Sequence, residues 1–273
     1  MTGLSLALKE MRENPVLIKY MLKAILKSRF SMLFAKYDDA MNMLFSKELI
    51  KVFGIEVIDD KIRFKFNDKY VYFYYNDLRN EGARIVENFI IKQYSKLNVR
   101  GKNVIDIGGY IGDSAIYFSL MGARHVFAYE PFPSPYKRAL KNIEINNIKN
   151  ISFYNLAVTD KKCTIKIMDI DSPYQELISN GDIKINGVTL DDISYNKNDL
   201  VLKIDCEGCE RKIIYSDLSR FDEIFIEYDF GYDYIIKRLK EFGFYYKMVS
   251  KPYKINDRVT GSIYAFKQSR LKH

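Results

Sequence analysis

The chain has 273 residues, 48% of them hydrophobic and 29% charged, enough to bury a sizeable core in one large domain or a domain with a subdomain. Its longest apolar runs fall well short of the roughly 20 residues a membrane-spanning helix needs, and charge interrupts the N-terminus "MTGLSLALKEMRENP" too early for a secretory signal. The net charge is +8, with the excess mostly in residues 1–100, where 18 Lys/Arg face 12 Asp/Glu. The charges are scattered along the sequence, so a solvated surface is the default over a nucleic-acid platform.

Residues 1–50 read as amphipathic helices. Met11, Leu17, Ile18, Met21, Leu22, Ile25 and Leu26 recur at three- and four-residue steps, with Lys19, Lys23 and Lys27 between them. Pro15 fits a first helical turn with Asn14 as its cap. Packing against the main domain is the expected use of these helices; docking on a membrane surface is the alternative. Residues 55–75, "IEVIDDKIRFKFNDKYVYFYY", switch to strict alternation with "DD" and "ND" as turns, which predicts a small antiparallel meander. Helical spacing returns over 81–97.

From residue 100 strands and helices alternate. "NVIDIGG" is a strand ending in an acid and glycines, "DSAIYFSLMGA" a helix, and "HVFAYEP" a second strand. A helix over "SPYKRALKNIEINN" has Ser134 as N-cap and Pro135 in its first turn. "NISFYNLAV" reads as a third strand, and residues 163–190 interrupt the rhythm with short strands and the polar loop "DIDSPYQELISNGD". "TLDDI" has the form of a capping box. "LVLKID" and "EIFIEYD" are further strands, each followed by a helix, and "YYKMVSK" with "GSIYAFKQ" predicts a closing hairpin. The pattern predicts an α/β, doubly wound, mostly parallel Rossmann-like sheet over 81–273, preceded by an accessory region, 1–80, of helices and meander.

Cys206 and Cys209 sit three apart in "IDCEGCERK". Three cysteines make no disulfide framework and suggest a reducing, cytoplasmic setting. With only His125 and His273 besides, a four-thiolate zinc site is excluded and a mixed one is not expected, while the carboxylates of Asp205 and Glu207 offer oxygen ligands to a divalent cation as an alternative. Asp205, Glu207 and Glu210 oppose the lowered pKa a reactive thiol needs. The cysteines therefore read as small apolar fillers at a strand-to-helix turn, which leaves the acids to carry chemistry.

Four strands end in acids: Asp106, Glu130, Asp205 and Glu227. Ligands of doubly wound sheets bind at the carboxyl ends of the strands. In "DIGGYIG" the glycines Gly108, Gly109 and Gly112 let backbone approach a ligand, but Asp106 before them disfavours a pyrophosphate. S-adenosylmethionine, with its sulfonium and ammonium, suits that acid. Glu130, 24 residues on, is placed to accept both ribose hydroxyls.

These residues resemble the FkbM family of S-adenosylmethionine-dependent methyltransferases. The likeness rests on "VIDIGGYIGDSAIYFSLMGARHVFAYEPFPSPYKRALKNIEINNIKNISFYNLAVTD", on "VTLDDI" and on the K-x-D-x-E-G-x-E block "LVLKIDCEGCE". It implies the class I methyltransferase fold, with seven strands and a last antiparallel one. It also implies that Asp106, Gly108, Gly109 and Gly112 line the methionine part of the cofactor. Glu130 would hold the ribose, Phe132 cover the adenine and Ala157 meet its edge. Tyr110 departs from the pattern, standing where many methyltransferases have glycine and the family often has Asn; it is counted with the cofactor-binding turn and expected to point at the substrate. Asp205 and Glu207 are the expected catalytic pair, at the rim where a hydroxyl acceptor needs a proton acceptor. Lys203, of the same strand parity as Asp205, is expected to pair with it structurally. Asp113 is expected as a helix cap. The expected reaction is methylation of a small-molecule or sugar hydroxyl. The rivals are an RNA methyltransferase using the basic N-terminal region, a nicotinamide oxidoreductase and a non-catalytic cofactor-binding protein.

Overall fold

The computed structural model describes residues 12, 14–169, 171, 181–255 and 257–267, and the chain forms two compact units, Met1–Gln93 and Tyr94–His273. Met11, His273 and most of the loop "DIDSPYQELISNGD" lie outside the described residues.

In the first unit a 3-10 turn, Pro15–Leu17, leads into α1 (Ile18–Lys27), α2 (Ser31–Phe34) and α3 (Tyr37–Leu44). Pro15 opens the turn as expected, but Asn14 makes no side-chain cap bond. One stripe of α1 is buried through Met21, Ala24 and Ile25. The expected meander follows as β1 (Glu56–Ile58), β2 (Lys61–Phe66) and β3 (Lys69–Tyr74), paired antiparallel in that order. Its tight turn places Asn67 and Asp68 both in the left-handed region, at φ 48° and 62°, the geometry of a two-residue hairpin. Inward-facing Phe64, Phe66 and Phe73 stack around Phe89, with ring centroids 4.8, 5.1 and 5.9 Å from it. Phe89 comes from the segment after α4 (Leu78–Ile85), where the helix widens to π-type turns over Val86–Ile91. The helical pattern expected to run to residue 97 stops there, because Lys92 turns left-handed at φ 59°.

The second unit contains β4 (Asn103–Ile107), α5 (Asp113–Leu120), β5 (His125–Tyr129), α6 (Pro133–Ile145), β6 (Ile151–Tyr154), β7 (Ala157–Thr159), β8 (Cys163–Ile167) and β9 (Ile183–Thr189). After these come α7 (Leu190–Ser194), β10 (Leu200–Ile204), α8 (Glu210–Ile213), β11 (Phe221–Tyr228), α9 (Asp233–Glu241), β12 (Phe244–Met248), β13 (Tyr253–Ile255) and β14 (Arg258–Lys267). The main sheet has the order β12-β14-β11-β10-β4-β5-β6, with β13 added on β14. β6, β5, β4, β10 and β11 are parallel, and β14 is wedged antiparallel between β11 and β12. This is the doubly wound, Rossmann-like arrangement with a closing antiparallel pair. Every residue of β10 is buried, as for a central parallel strand covered on both faces.

Local expectations hold and fail for identifiable reasons. Thr189 and Asp192 form the capping box. "NISFYNLAV" is broken in two at Asn155, whose side chain donates to the carbonyls of Glu130 and Pro131 at 2.9 and 2.8 Å. β7 leaves the main sheet and pairs with β9 and β8 in a side sheet. Helix α6 starts earlier than expected, at Pro133, and Ser134 is no cap, because Asp169 takes both its N–H (2.9 Å) and its hydroxyl (2.7 Å). Gly112, not Asp113, stands at the N-cap of α5.

Candidate active site

The chain enters the sheet at its centre with β4, proceeds outward through β5 and β6, then returns to the other side of β4 with β10. The crevice of such a fold lies at the carboxyl ends of the strands where the order reverses, here between β4 and β10. Asp205, just past β10, donates its N–H to the Ile107 carbonyl at the end of β4, 3.1 Å away. The turn after β4 packs directly on this point. A Cβ on Gly108, whose φ is 80°, would lie 1.7 Å from the Asp205 carbonyl oxygen. Gly108→Ala is therefore expected to destabilise the protein by more than about 3 kcal/mol, from backbone strain and a clash with main chain that has no room to move. An unchanged melting temperature for that variant would contradict the packing described.

The N–H groups of the turn point into the protein. Gly108 and Gly109 both donate to the Tyr129 carbonyl at 3.0 Å, and Gly112 donates to Gly109 at 2.7 Å. The N–H of Tyr110, itself left-handed at φ 41°, donates to the Glu130 carboxylate at 2.9 Å. Glu130 also accepts from Phe132 N, at 2.9 Å on its other oxygen. Burial pushes Glu130 up to about 7, against the pull of these two N–H groups.

Asp106 is fully buried. One of its oxygens accepts from the Ser114 hydroxyl at 2.6 Å, and the other lies 3.0 Å from the Lys203 ammonium. Lys203, itself 1% exposed, also donates to the Gly108 carbonyl at 2.7 Å and the Ile107 carbonyl at 3.3 Å, and stands 3.8 Å from Asp205. Burial works to lower the lysine's pKa, but Asp106 and Asp205 outweigh it and raise the pKa, so the group stays an ammonium. The pairing of Lys203 with Asp205 occurs as expected, and the tighter partner is Asp106. Asp205 is the most open of the three acids, its side chain 18% exposed, with one oxygen 3.4 Å from the buried Tyr94 hydroxyl. Burial and the neighbouring Asp205 raise the Tyr94 hydroxyl well above its ordinary range.

Beyond Asp205 the chain makes a left-handed turn through Glu207 (φ 53°) and Gly208 (φ 110°). Glu207 is half-buried; Glu210 is wholly buried, accepts from Asp229 N at 3.4 Å, and is pushed up to about 7 by burial. The turn brings the Cα atoms of Cys206 and Cys209 to 5.5 Å, and their sulfurs are bonded. This corrects the reading of the two residues as unlinked fillers: they do pack against the core, but as a disulfide enclosing Glu207 and Gly208. Phe132 and Ala157 meet in a small apolar cluster with Ile167 and Ile185. Glu227 lies inside β11, half-buried. Among the described residues no group of three or more His, Cys, Asp or Glu side chains is gathered as a metal would require.

The profile described as "Methyltransferase FkbM domain" matches residues 106–246, just over half of the 273-residue chain. The chain belongs to the FkbM methyltransferase family. The FkbM match opens on Asp106 and takes in the glycine turn, Glu130 and the block from Lys203 to Glu210. A relative, the uncharacterized protein 158B of Sulfolobus islandicus rod-shaped virus 1, is 29% identical over 130 residues, 48% of this chain; the match spans only 62% of the viral protein. Among solved structures, the chain is similar to a ribosomal protein L11 methylase from Lactobacillus delbrueckii subsp. bulgaricus, with TM-score 0.40, 14% identity, and coverage of 70% of this chain and 81% of that one. The corresponding values for Trm5b from Pyrococcus abyssi are 0.44, 13%, 76% and 56%. For M. capricolum TrmK in complex with S-adenosyl-homocysteine they are 0.44, 15%, 65% and 67%.

Several residues of this FkbM-family site carry no signal in the sequence. Tyr94 reaches Asp205 across 111 positions, from a segment with no motif. Arg138, buried on α6, places its guanidinium 5.7 Å from the Tyr110 ring centre and pairs with Asp171. Ser114 was findable in principle: it lies on the first turn of α5, eight residues after Asp106, and a short hydroxyl there is a natural partner for an acid at the strand end.

Proposed function

We propose that the protein is an S-adenosylmethionine-dependent methyltransferase acting on a hydroxyl of a small molecule or sugar. The observation that carries the reading is the orientation of the glycine turn. The N–H groups of Gly108, Gly109, Tyr110 and Gly112 are bonded internally, so the turn offers little to a pyrophosphate, and a carboxylate, Glu130, stands over it. A site lined this way suits a ribose-bearing cation and counts against a nicotinamide dinucleotide. Each Glu130 oxygen accepts one N–H and keeps a lone pair for one ribose hydroxyl.

Within this reading Gly108, Gly109 and Gly112 line the methionine part, and Asp106, bonded to Ser114 and Lys203, braces their turn beneath it. Phe132 and Ala157 supply the apolar surface for the adenine, and Tyr110 faces the acceptor. The bound cofactor supplies an activated methyl group on sulfur. The protein's part is then to align the acceptor and take its proton, and alignment alone is worth roughly 7–11 kcal/mol. Asp205, the most open acid at the switch point, accepts the proton, with Glu207 beside it on the disulfide-closed turn.

Glu130 makes the test sensitive to pH. Its folded pKa of about 7 is above the ordinary carboxylate value, so the group costs the folded protein stability as pH rises through that window. Ribose hydroxyls donate more strongly to the ionised form, both of whose oxygens accept, than to the carboxylic acid, one of whose oxygens carries the proton. Affinity for S-adenosylmethionine is therefore expected to fall by up to about tenfold per pH unit below about 7. Calorimetry across that range checks this, and Glu130→Gln should bind weakly with no such slope. A pH-independent affinity, equal in the variant, would remove Glu130 from the cofactor site. Mass spectrometry of cell extract given an isotopically labelled methyl donor then identifies the acceptor, and label found in RNA would replace the small-molecule reading.

A further inference from the structure

Between Asn14 and Asp38 the chain carries Lys19, Lys23, Lys27, Arg29 and Lys36 and no acidic residue. The folded first unit sorts this segment into three stripes. Leu17, Met21, Ala24 and Ile25 are buried. Beside them Ile18, Leu22 and Leu26, followed by Phe30 and Phe34, recur every fourth residue and are exposed by 41%, 51%, 64%, 51% and 85%. Beyond these, Lys19, Lys23 and Lys27 form an exposed line at the same spacing. A fourfold step on a helix keeps Ile18, Leu22 and Leu26 on one side of α1, while Phe30 and Phe34 follow past its end, where Arg29 and Phe30 turn left-handed at φ 50° and 66°. Isolated exposed apolar residues are ordinary, but five large ones within the short segment from Ile18 to Phe34 are not.

We propose that this edge docks on an anionic lipid surface, with Ile18, Leu22, Leu26, Phe30 and Phe34 in the headgroup–acyl boundary and the lysines against lipid phosphates. Charge complementarity selects this occupant. A second copy presenting the same face brings Lys19 and Lys23 against like charges, and Lys27 already donates to the Glu48 carbonyl at 2.7 Å. Single-stranded RNA would use the cations and the two phenylalanines, but it has no partner for Ile18, Leu22 and Leu26. An anionic bilayer satisfies both stripes together: apolar area is buried while each nearby cation adds electrostatic attraction. The edge belongs to the first unit, and its docking does not depend on the proposed reaction. Docking there would hold the enzyme at a surface where amphiphilic substrates gather.

The experiment is co-sedimentation of the full chain with phosphatidylcholine vesicles, with and without about 30% phosphatidylglycerol. The expected result is binding to the anionic vesicles at least about tenfold tighter than to the neutral ones, weakening as salt is raised. Leu22→Gln/Leu26→Gln and Lys19→Gln/Lys23→Gln are each expected to lose about tenfold or more. All four side chains are exposed, so the variants should keep the parent's circular dichroism and melting temperature. Absence of vesicle binding overturns the proposal, as does equal binding to neutral vesicles. RNA retention that is lost in the lysine variant, unchanged in the leucine variant and unaccompanied by vesicle binding would assign the edge to RNA. A dimer in sedimentation that the leucine variant dissolves would assign it to a second copy.

Discussion

Turnover is expected to fall by about 10²–10⁴-fold in Asp205→Asn while S-adenosylmethionine binding stays at the parent's level. Asparagine matches the carboxylate in shape and can still accept from the Tyr94 hydroxyl, so the 3.4 Å contact survives. The backbone bond to Ile107 does not involve the side chain, and Lys203 keeps its closer partner, Asp106, at 3.0 Å. What is lost is the negative charge at the switch point and its capacity to take a proton. The loss belongs in kcat, with little change in the binding of either substrate, which separates a proton acceptor from a residue that shapes the pocket. Glu207→Gln serves as the comparison on the same turn. Full activity in Asp205→Asn, measured with the acceptor found by isotopic labelling, would take Asp205 out of the mechanism.

The second large effect concerns stability. Lys203→Met is expected to cost about 3–5 kcal/mol, because it removes the one ammonium bonded to the wholly buried Asp106 and leaves that carboxylate without its countercharge. The same change takes the lysine donor from the Gly108 carbonyl, while the Ile107 carbonyl keeps the Asp205 N–H, so the glycine turn loosens as well. The sign of the pH dependence follows from burial, which raises Asp106 above its ordinary value even with the lysine present. With the lysine gone that opposition is weaker. A raised folded pKa means stability present at low pH and lost as pH rises, so the deficit of Lys203→Met should shrink on acidification toward the ordinary Asp range. Asp106→Asn added to Lys203→Met should recover much of the loss at neutral pH, since the buried charge is then gone too. Denaturant melts of the three variants decide the matter; equal midpoints for the parent and Lys203→Met would show that the lysine is not holding the turn.

The proposed docking edge and the Lys203 cluster differ in how far they could be read beforehand. The lysines at 19, 23 and 27 and the apolar residues between them announce an amphipathic helix by spacing alone. Spacing does not say which of two apolar stripes the fold covers. That depended on Leu17, Met21, Ala24 and Ile25 being buried while Ile18, Leu22 and Leu26 stay open.

The same division runs through the catalytic unit. Alternation of apolar runs with 3.6-residue periodicity is a local property, and it was enough to specify a parallel, doubly wound sheet, the glycine turn after β4, and acids at the ends of β4, β5 and β10. The residues 106–130 and 203–210 are legible because each motif is contiguous and its spacing is set by one strand and the turn that follows it. Long-range partners are another matter. That "NISFYNLAV" breaks at Asn155 follows from carbonyls 24 and 25 residues away. That Ser134 is no cap follows from Asp169, 35 residues on. That Tyr94 meets Asp205, that Lys203 is shared between two strand ends, and that Cys206 and Cys209 close on each other all depend on how the chain crosses at β4 and β10. Sequence periodicity determines which face each side chain takes on its own element. Which groups then become neighbours, and whether a buried charge finds its counterpart, is decided only when the strands are laid side by side.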